Sequence, residues 1–352
     1  MEMSEESPFP LKKTGAVVIA AGLLVFLLYL YFFVPFGEFY ASIQQADPFL
    51  YSLAFGSMLL STAFYSLAWQ RLLHLLSVKC SFIKSFQIVW IGSFVDLLVP
   101  AESISGDISR AYLMSKESGE NAGKVVASVI GHRVLSMTIT LGGLVISSVY
   151  FALNYHPPPL VLEFVSLIGA GTLIAMILIF YFSRRREDTD KIVSWIIGLL
   201  VRLSRGRWKF ERLKGSAEKM LKAFHNGIDT LTAQKSRLAL PGFLAIVAWA
   251  LDLLISVLVF RALKAQVPFS TIAIVYSISI AIQTAPLGIP GEAGILEVVM
   301  TSLYLLLSVD IHIAAAATIL TRIITLWLRL LIGGLTVQWL GIKGLKPSST
   351  AS

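Results

Sequence analysis

Two charged segments interrupt apolar stretches of this sequence and carry the residue types that could do chemistry. The first, "VDLLVPAESISGDISRAYLM", places a proline, two carboxylates, a glycine and an arginine at Pro100, Glu102, Gly106, Asp107 and Arg110. The second, "QTAPLGIPGEAGILEVVM", places prolines, glycines and glutamates at Pro286, Pro290, Gly291, Glu292, Gly294 and Glu297. A carboxylate can form an ion pair with a guanidinium, and a guanidinium can also bind a phosphate through two parallel hydrogen bonds. The pattern therefore indicates buried ion pairs, an anion site, or both.

An arginine follows each segment inside a long apolar run. Arg133 follows Pro100, and Arg322 follows Pro290 at almost the same interval. An ionised side chain at the centre of a bilayer costs about 2.5 to 3.5 kcal/mol, so such a residue must pair or contact water. Each arginine either ties a hairpin carboxylate to the neighbouring apolar run or binds the phosphate of a ligand. The sequence leaves both roles open.

We predict that the substrate-binding residues come from these acidic and basic positions: Arg110, Arg133, Arg322, Glu102, Asp107, Glu292 and Glu297. The residues that shape the hairpin backbone are Pro100, Gly106, Pro286, Pro290, Gly291 and Gly294. Asp96, Asp252 and Arg329 are further charges within apolar regions. The sequence does not orient the helix faces that carry Asp252 and Arg329, so their assignment is weaker.

Other classes of chemistry lack their motifs. The sequence contains no nucleotide-binding loop, catalytic triad or zinc motif, and its five histidines have no ligand spacing. Cys80 is the single cysteine, which excludes an intramolecular disulfide and a thiolate metal cluster. We therefore predict no catalytic residue, no metal and no cofactor, and we expect the protein not to be an enzyme.

Composition indicates the solvent in which these segments lie. Hydrophobic residues make up 56% of the 352 and charged residues only 14%, and the mean hydropathy is +0.77. These values are typical of an all-α, polytopic integral membrane protein. Runs long enough to cross a bilayer occur at 15–34, 49–71, 124–151, 160–182, 238–260 and 313–340. The stretches 82–114 and 268–309 are interrupted by proline and glycine, which predicts re-entrant broken-helix hairpins that line a cavity.

The distribution of basic residues predicts the orientation of the chain. Residues 183–237 carry 14 of the 29 basic residues against 6 acidic ones, so this loop should be cytoplasmic. The protein then lies in the cell membrane with its N-terminus (1–14) and its tail (341–352) on the cytoplasmic side. The first membrane half is 15–182, and the second is 238–340. The basic loop is amphipathic and either lies on anionic lipid or forms cytoplasmic helices with solvated charges.

The same unit occurs twice in the chain: a span, a broken hairpin and an arginine-bearing span. The number of spans between equivalent elements is odd, so the two units should have opposite orientations. This pattern is typical of inverted-topology transporters, whose broken helices meet near the middle of the membrane.

The paired motifs resemble the flippase-like transmembrane region of the lysylphosphatidylglycerol synthase family, also called the multiple peptide resistance factor family. The resemblance rests on "LLVPAESISGDISRAYL" with "GHR" downstream and on "APLGIPGEAGILE" with "TRIITLWLRLLIGG" downstream, and it covers about 15 to 340. Two positions depart from the family pattern: Ser105 stands where a second glycine is frequent, and His132 stands where many relatives have an acidic residue. In the full-length synthases a large soluble domain transfers the aminoacyl group. The resemblance covers the transmembrane region and not that domain, so it implies a stand-alone lipid-handling region.

The favoured function is therefore a lipid flippase-like transporter that moves a phospholipid or a polyprenyl-phosphate-linked headgroup between leaflets. One alternative is a membrane-embedded transferase acting on a lipid-linked donor, with Glu102 and Asp107 as acid/base residues or metal ligands. Another is a non-catalytic partner of a separate lipid synthase. The expected partners are membrane lipids with anionic headgroups or a lipid phosphate, and not nucleic acid. A separate synthase or glycosyltransferase and a second copy of this chain are further candidates.

Overall fold

A computed structural model of the chain describes residue 41 and residues 43–99, 104–155, 159–203, 210–283 and 289–344. These residues form helices and turns, and the described ranges contain no β-strand. The predicted span 15–34 lies outside the described residues, as do Pro100, Glu102, Pro286, the N-terminal segment and the end of the tail.

Two sets of helices and the helix Pro159–Arg184 between them in the sequence account for the segments of the described chain that can cross a membrane. The first, here called the first unit, contains α1 (Pro48–Leu75), α2 (Phe82–Leu98), α3 (Ser105–Ser118) and α4 (Ala122–Asn154). Along the chain the two units are connected by α5 (Pro159–Arg184), α6 (Arg186–Leu203) and α7 (Phe210–Ala233). The second unit follows a 3-10 turn at Lys235–Leu238 and contains α8 (Ala239–Ala262), α9 (Phe269–Gln283), α10 (Ile295–Leu306), α11 (Ile311–Arg322) and α12 (Arg329–Gly344). A π-helical turn at Ile323–Leu328 joins α11 to α12, which makes one long helix of them.

Five helical segments of the described chain are long and apolar enough to cross a membrane: Pro48–Leu75, Ala122–Asn154, Pro159–Arg184, Lys235–Ala262 and Ile311–Leu340. Each corresponds to one of the predicted spans that fall within the described ranges. The prediction of an all-α polytopic membrane protein is confirmed. The two broken stretches each form a pair of short helices, α2 with α3 and α9 with α10, and α3 continues to Ser118, beyond the predicted end at 114.

The backbone repeats its turns at equivalent places in the two units. Ser77 and Lys264 have left-handed φ angles of 61° and 57° and follow the first long helix of each unit. Both turns are closed by the same hydrogen-bond pattern, Val78 N to Leu73 O at 2.9 Å and Ala265 N to Phe260 O at 3.0 Å. Gly119 and Ser308 also have left-handed φ angles, of 70° and 66°, and they precede α4 and α11, the helices that carry Arg133 and Arg322.

The first long helices of the two units, α1 and α8, pack against each other in antiparallel directions. Hydrogen bonds join Ser57 Oγ to Leu251 O at 2.6 Å and Ser61 Oγ to Ala248 O at 2.9 Å. Near the start of α1 the Asp47 N–H donates to the carbonyl of Ala262, at the end of α8, at 2.8 Å. Rising residue numbers in α1 therefore meet falling residue numbers in α8, and this pair forms the centre of the molecule.

Each unit also packs a short helix against the last long helix of the other unit. The short helix α2 packs on α12, and the short helix α9 packs on α4. The contact with α12 is close because a Cβ added at Gly333 would lie 2.8 Å from the Trp90 carbonyl oxygen and 2.7 Å from Phe94 Cβ. This exchange places the interior of the protein between the two units.

The three helices that connect the units along the chain, α5, α6 and α7, lie at the edge of the helix bundle. None of the most apolar 18-residue window of α5 is buried within the protein, as expected of a membrane span at the edge of a bundle. The amphipathic helix α7 buries Leu221, Phe224, Ile228 and Leu231 against the start of α4. These four side chains of α7 are therefore covered by protein, whereas Ile192 and Trp195 of α6 are exposed.

Candidate functional site: a charged cavity between the two units

A cavity of about 290 Å³ lies between the two units and is lined by both charge signs. Its ionisable lining residues are three aspartates and three arginines: Asp96, Asp107, Arg110, Arg133, Asp252 and Arg329. These residues come from α2, α3, α4, α8 and α12, so no single helix builds the site. Ion pairing and a polar interior are the two ways to keep such charges within a bundle of apolar helices, and this cavity offers both.

Asp107 bridges two arginines on one side of the cavity. Its carboxylate accepts from Arg110 Nη1 at 3.2 Å and from Arg133 Nη1 at 2.9 Å. Asp107 lies in the first turn of α3, where a negative charge also interacts favourably with the helix N-terminus. Arg133 is thus tied to the first hairpin, while 17% of its side chain remains exposed at the cavity.

Arg110 is held from several directions at once. Its Nη1 donates to the Tyr65 hydroxyl at 3.1 Å, and its Nη2 donates to His132 Nδ1 at 3.2 Å. The guanidinium carbon lies 4.3 Å from the centre of the Trp69 ring, a cation–π contact. His132 Nδ1 therefore acts as an acceptor that orients Arg110.

Asp96 joins the two short helices of the first hairpin. Its Oδ1 accepts from the Gly106 N–H at 2.5 Å and from Ser105 Oγ at 3.0 Å, so a side chain of α2 caps the start of α3. A Cβ at Gly106 would overlap the Asp96 carboxylate and lie 2.5 Å from the Gly92 carbonyl oxygen. Glycine at 106 is therefore required by the close approach of α2 and α3.

Arg322 holds the second hairpin with a comparable set of contacts. Its Nε donates to Glu297 Oε1 at 2.6 Å, and its Nη2 donates to the Gly291 carbonyl at 2.5 Å. The other carboxylate oxygen, Oε2 of Glu297, accepts from the Gly294 N–H at 2.7 Å. Gly291 and Gly294 have φ angles of 61° and 90°, a backbone region that favours glycine. The ion pair thus fixes an irregular segment that ordinary helical hydrogen bonds cannot stabilise.

A third ion pair, Asp252 with Arg329, lies where two cavities meet. Arg329 Nη2 donates to Asp252 Oδ1, and Tyr276 Oη donates to Oδ2 at 3.1 Å. Ser61 Oγ lies 3.3 Å from Oδ1 and shares its one proton between this oxygen and the Ala248 carbonyl. A second cavity of about 150 Å³ shares Asp252, Arg329 and Tyr276 with the larger one and extends to Arg322. The two cavities are therefore adjacent, with this ion pair in the wall common to both.

The structure separates the predicted site residues into three groups. Arg110, Arg133 and Asp107 line the larger cavity, and Arg322 lines the smaller one. Glu292 and Glu297 are buried in the second hairpin and belong to the lining of neither of these cavities. Glu102 lies outside the described residues.

Three cavity residues were visible in the sequence only as charges in apolar runs: Asp96, Asp252 and Arg329. Their inward orientation depends on contacts between α2, α8 and α12, which are distant in sequence. Tyr276 carries no charge at all, and its position on the short helix α9 gave no signal of a role.

Comparison with known proteins assigns this arrangement to a family and to a set of relatives. The model of the lysylphosphatidylglycerol synthase TM region matches residues 19–333. A UPF0104 membrane protein of Methanothermobacter thermautotrophicus is 25% identical over 94% of this chain and 97% of its own length. A UPF0104 membrane protein of Pyrococcus horikoshii is 24% identical over 93% of this chain and 97% of its own length. One from Methanocaldococcus jannaschii is 21% identical over 92% and 94%, respectively.

Proposed function

Since this chain belongs to the lysylphosphatidylglycerol synthase transmembrane-region family, we propose that it is a flippase-like transporter that moves a phosphate-bearing lipid headgroup between leaflets. The observation that carries the proposal is the cavity between the units, with three guanidinium groups and three carboxylates among apolar helices. A headgroup in this cavity meets charge and hydrogen-bonding groups, while its acyl chains stay in lipid. Guanidinium groups suit the phosphate because they bind it bidentately.

A polar track along α4 supports entry of a headgroup. Arg133, Ser136 and Thr140 lie on successive turns of α4 and line the same cavity, and Thr172 joins them from α5. Since α5 presents apolar sides to lipid, the track lies next to the hydrocarbon region. We propose that the headgroup enters along this track, with Arg133 as the first cationic group to contact its phosphate.

We also propose that the two units are an inverted repeat with hairpins that re-enter the membrane from opposite sides. The antiparallel packing of α1 and α8 supports the inversion, since equivalent helices of an inverted repeat must run in opposite directions. The ion pairs add support because Asp107 and Glu297 both lie in the first turn of their short helices. Each pairs with an arginine 25 or 26 residues later in the chain. With this arrangement both termini lie on the cytoplasmic side of the cell membrane.

Translocation by the purified protein tests the proposed function. Proteoliposomes containing a fluorescent phosphatidylglycerol or a fluorescent polyprenyl phosphate are treated with an impermeant quencher that removes signal from the outer leaflet. We expect the protected inner-leaflet signal to decay with the protein and to persist in protein-free vesicles. Glu163→Gln, on the exposed face of α5, serves as the matched variant that should behave like the wild type.

Two results would overturn the transporter proposal. A folded, reconstituted protein that leaves the inner leaflet protected with both lipid classes has no flippase-like activity on them. Formation of a modified product from a lipid-linked donor instead identifies a transferase.

A further inference from the structure

The charges of the cavities differ in whether the other unit repeats them. Arg133 and Arg322 occupy equivalent places and make equivalent ion pairs, with Asp107 and Glu297. Asp252 and Arg329 have no charged counterpart, because the same interval that separates Arg133 from Arg322 places Ala63 and Thr140 at their equivalent positions. Each duplicated pair joins a hairpin to the long helix that follows it, whereas Asp252 and Arg329 join two long helices. The unduplicated pair therefore needs another explanation.

Arg329 is also the most available guanidinium among the ion-paired arginines of the two cavities. Its side chain is 25% exposed, compared with 17% for Arg133 and 4% for Arg322. Its Nε has no hydrogen-bond partner in the part of the chain that the structure describes. An unpaired buried donor of a cation is costly, so this nitrogen is suited to receive an acceptor from outside the protein.

Asp252 is placed to give way to such an acceptor at low cost. Besides Arg329, its carboxylate accepts a hydrogen bond from Tyr276 Oη at 3.1 Å. Ser61 Oγ lies 3.3 Å from the same carboxylate, while its one proton is shared with the nearer Ala248 carbonyl at 2.9 Å. A carboxylate that keeps the Tyr276 donor stays partly satisfied when Arg329 turns toward a ligand. Arg322, in contrast, is the donor to both Glu297 and the Gly291 carbonyl, and its departure releases the hairpin.

We propose that Arg329 is a second anion subsite, specific for a phosphate oxyanion, and that Asp252 masks it until the anion displaces the carboxylate. Only the purpose of the subsite depends on the proposed function. During transport, a phosphate that leaves Arg133 in the larger cavity meets Arg329 at the boundary with the smaller one. Asp252 keeps the cation neutralised when no anion is present, which an isolated charge in this position requires.

The proposal makes a prediction of unusual sign, since removal of a residue should strengthen binding. Asp252→Asn removes the competing carboxylate while it keeps the shape and a polar group, so the affinity for phosphate should rise by about tenfold, equivalent to about 1.4 kcal/mol. Arg329→Gln removes the guanidinium group and should abolish this gain in phosphate affinity. Asp310→Asn, an exposed aspartate that caps no N–H group, is the matched control and should leave affinity unchanged.

The full-length protein in neutral detergent is titrated with inorganic phosphate, with glycerol 3-phosphate and with phosphatidylglycerol, and affinity is measured from thermal stabilisation. Tighter binding of all three by Asp252→Asn identifies a general phosphate subsite. Tighter binding of phosphatidylglycerol alone identifies a lipid headgroup as the source of the anion. Unchanged or weaker binding of every probe by a folded Asp252→Asn variant overturns the proposal.

Arg329→Lys keeps the proposal testable if Asp252→Asn does not fold. Lysine preserves the ion pair with Asp252 but cannot bind an oxyanion bidentately, so phosphate affinity should fall at least severalfold with little change in melting temperature. Wild-type affinity in this variant overturns the subsite.

Failure of this proposal is distinguishable from failure of the transporter proposal. A protein that binds phosphate as predicted but does not translocate lipid retains the subsite and loses the transport function. One that translocates lipid but shows none of these affinity changes retains the transport function and loses the subsite.

Discussion

Arg133 and Arg322 occupy corresponding positions, but their surroundings give them different sensitivity to substitution. Arg322 is 4% exposed and donates to both Glu297 and a backbone carbonyl, whereas Arg133 is 17% exposed at the larger cavity. Loss of a contact made by Arg322 removes support from an irregular backbone segment. Loss of a contact made by Arg133 changes a surface that a ligand can reach.

Arg322→Lys should therefore lower the melting temperature, since an ammonium cannot serve both acceptors, and an unsatisfied buried acceptor costs about 1 to 3 kcal/mol. Arg133→Lys should leave the melting temperature nearly unchanged and reduce translocation by about tenfold to a hundredfold, the loss expected for about 1.5 to 3 kcal/mol of binding. Thermal unfolding and the proteoliposome assay measure the two effects. Arg71→Lys, at an exposed position of α1, is the control. Equal effects of both variants on stability and transport would contradict this division of roles.

Gly106→Ala should destabilise the first hairpin. The added methyl group would overlap the Asp96 carboxylate and lie 2.5 Å from a backbone oxygen that cannot move alone, so α2 and α3 must separate. Overpacking of this kind typically costs about 1 to 3 kcal/mol. Gly56→Ala in α1 is the matched control, because open space surrounds that position and alanine favours the helix. A melting temperature of Gly106→Ala at or above that of Gly56→Ala would contradict the close-packing explanation.

The sequence pointed to candidate residues where a local pattern repeats and left open those whose placement depends on facing helices. Arg133 and Arg322 became candidates because each follows a proline at almost the same interval, and Asp107 because it is a carboxylate within a broken segment. Arg329 and Asp252 were only suspected, since their pairing joins helices 77 residues apart. No periodicity reports which side of a uniformly apolar helix faces the interior.

Among the helices, α6 and α7 should respond differently to an anionic membrane. Leu221, Phe224, Ile228 and Leu231 of α7 are already buried, whereas α6 begins at the last of three consecutive arginines and exposes Ile192 and Trp195. In nanodiscs of anionic lipid, backbone amides in 186–203 should gain protection from hydrogen exchange, and high salt should remove it because counterions screen the attraction.

Amides in 210–233 should stay protected in neutral and anionic nanodiscs alike, which makes α7 an internal control. Salt-independent protection of α6, or none, would favour the alternative that its charges are simply solvated.

The helices of the two hairpins illustrate how far pattern extends at this scale. Proline and glycine at 100, 106, 290, 291 and 294 predicted the breaks, because these residues disfavour continuous helix. The exchange of α2 onto α12 and of α9 onto α4 could not be predicted, since each contact joins segments whose apolar faces are nearly uniform.

For the molecule as a whole, the proposed inverted repeat predicts that the hairpin breaks are reached from opposite sides of the membrane. In a Cys80→Ala background, a cysteine at Ile104 should react with an impermeant maleimide from the cytoplasm, and one at Ile289 from outside. Reaction of both from the same side would rule out the inversion.

The native cysteine is itself a poor target for such a reagent. Burial raises the pKa of the Cys80 thiol, and a hydrogen-bonding contact with Ser85 opposes this effect. Because the thiolate is the reactive form, labelling of Cys80 in the wild type should be slow at neutral pH and should rise as the pH increases. Its replacement removes this pH-dependent background.

The exchange of short helices between the units governs how the protein matures during synthesis. The N-terminal unit is made first, so α2 enters the membrane before α12, its packing partner, exists. Asp107 and Arg133 can neutralise each other within the nascent first unit, but Asp252 must wait for Arg329, 77 residues later. A chain interrupted before α12 therefore presents an incomplete polar wall to lipid, which makes it a substrate for membrane quality control and not a smaller working protein.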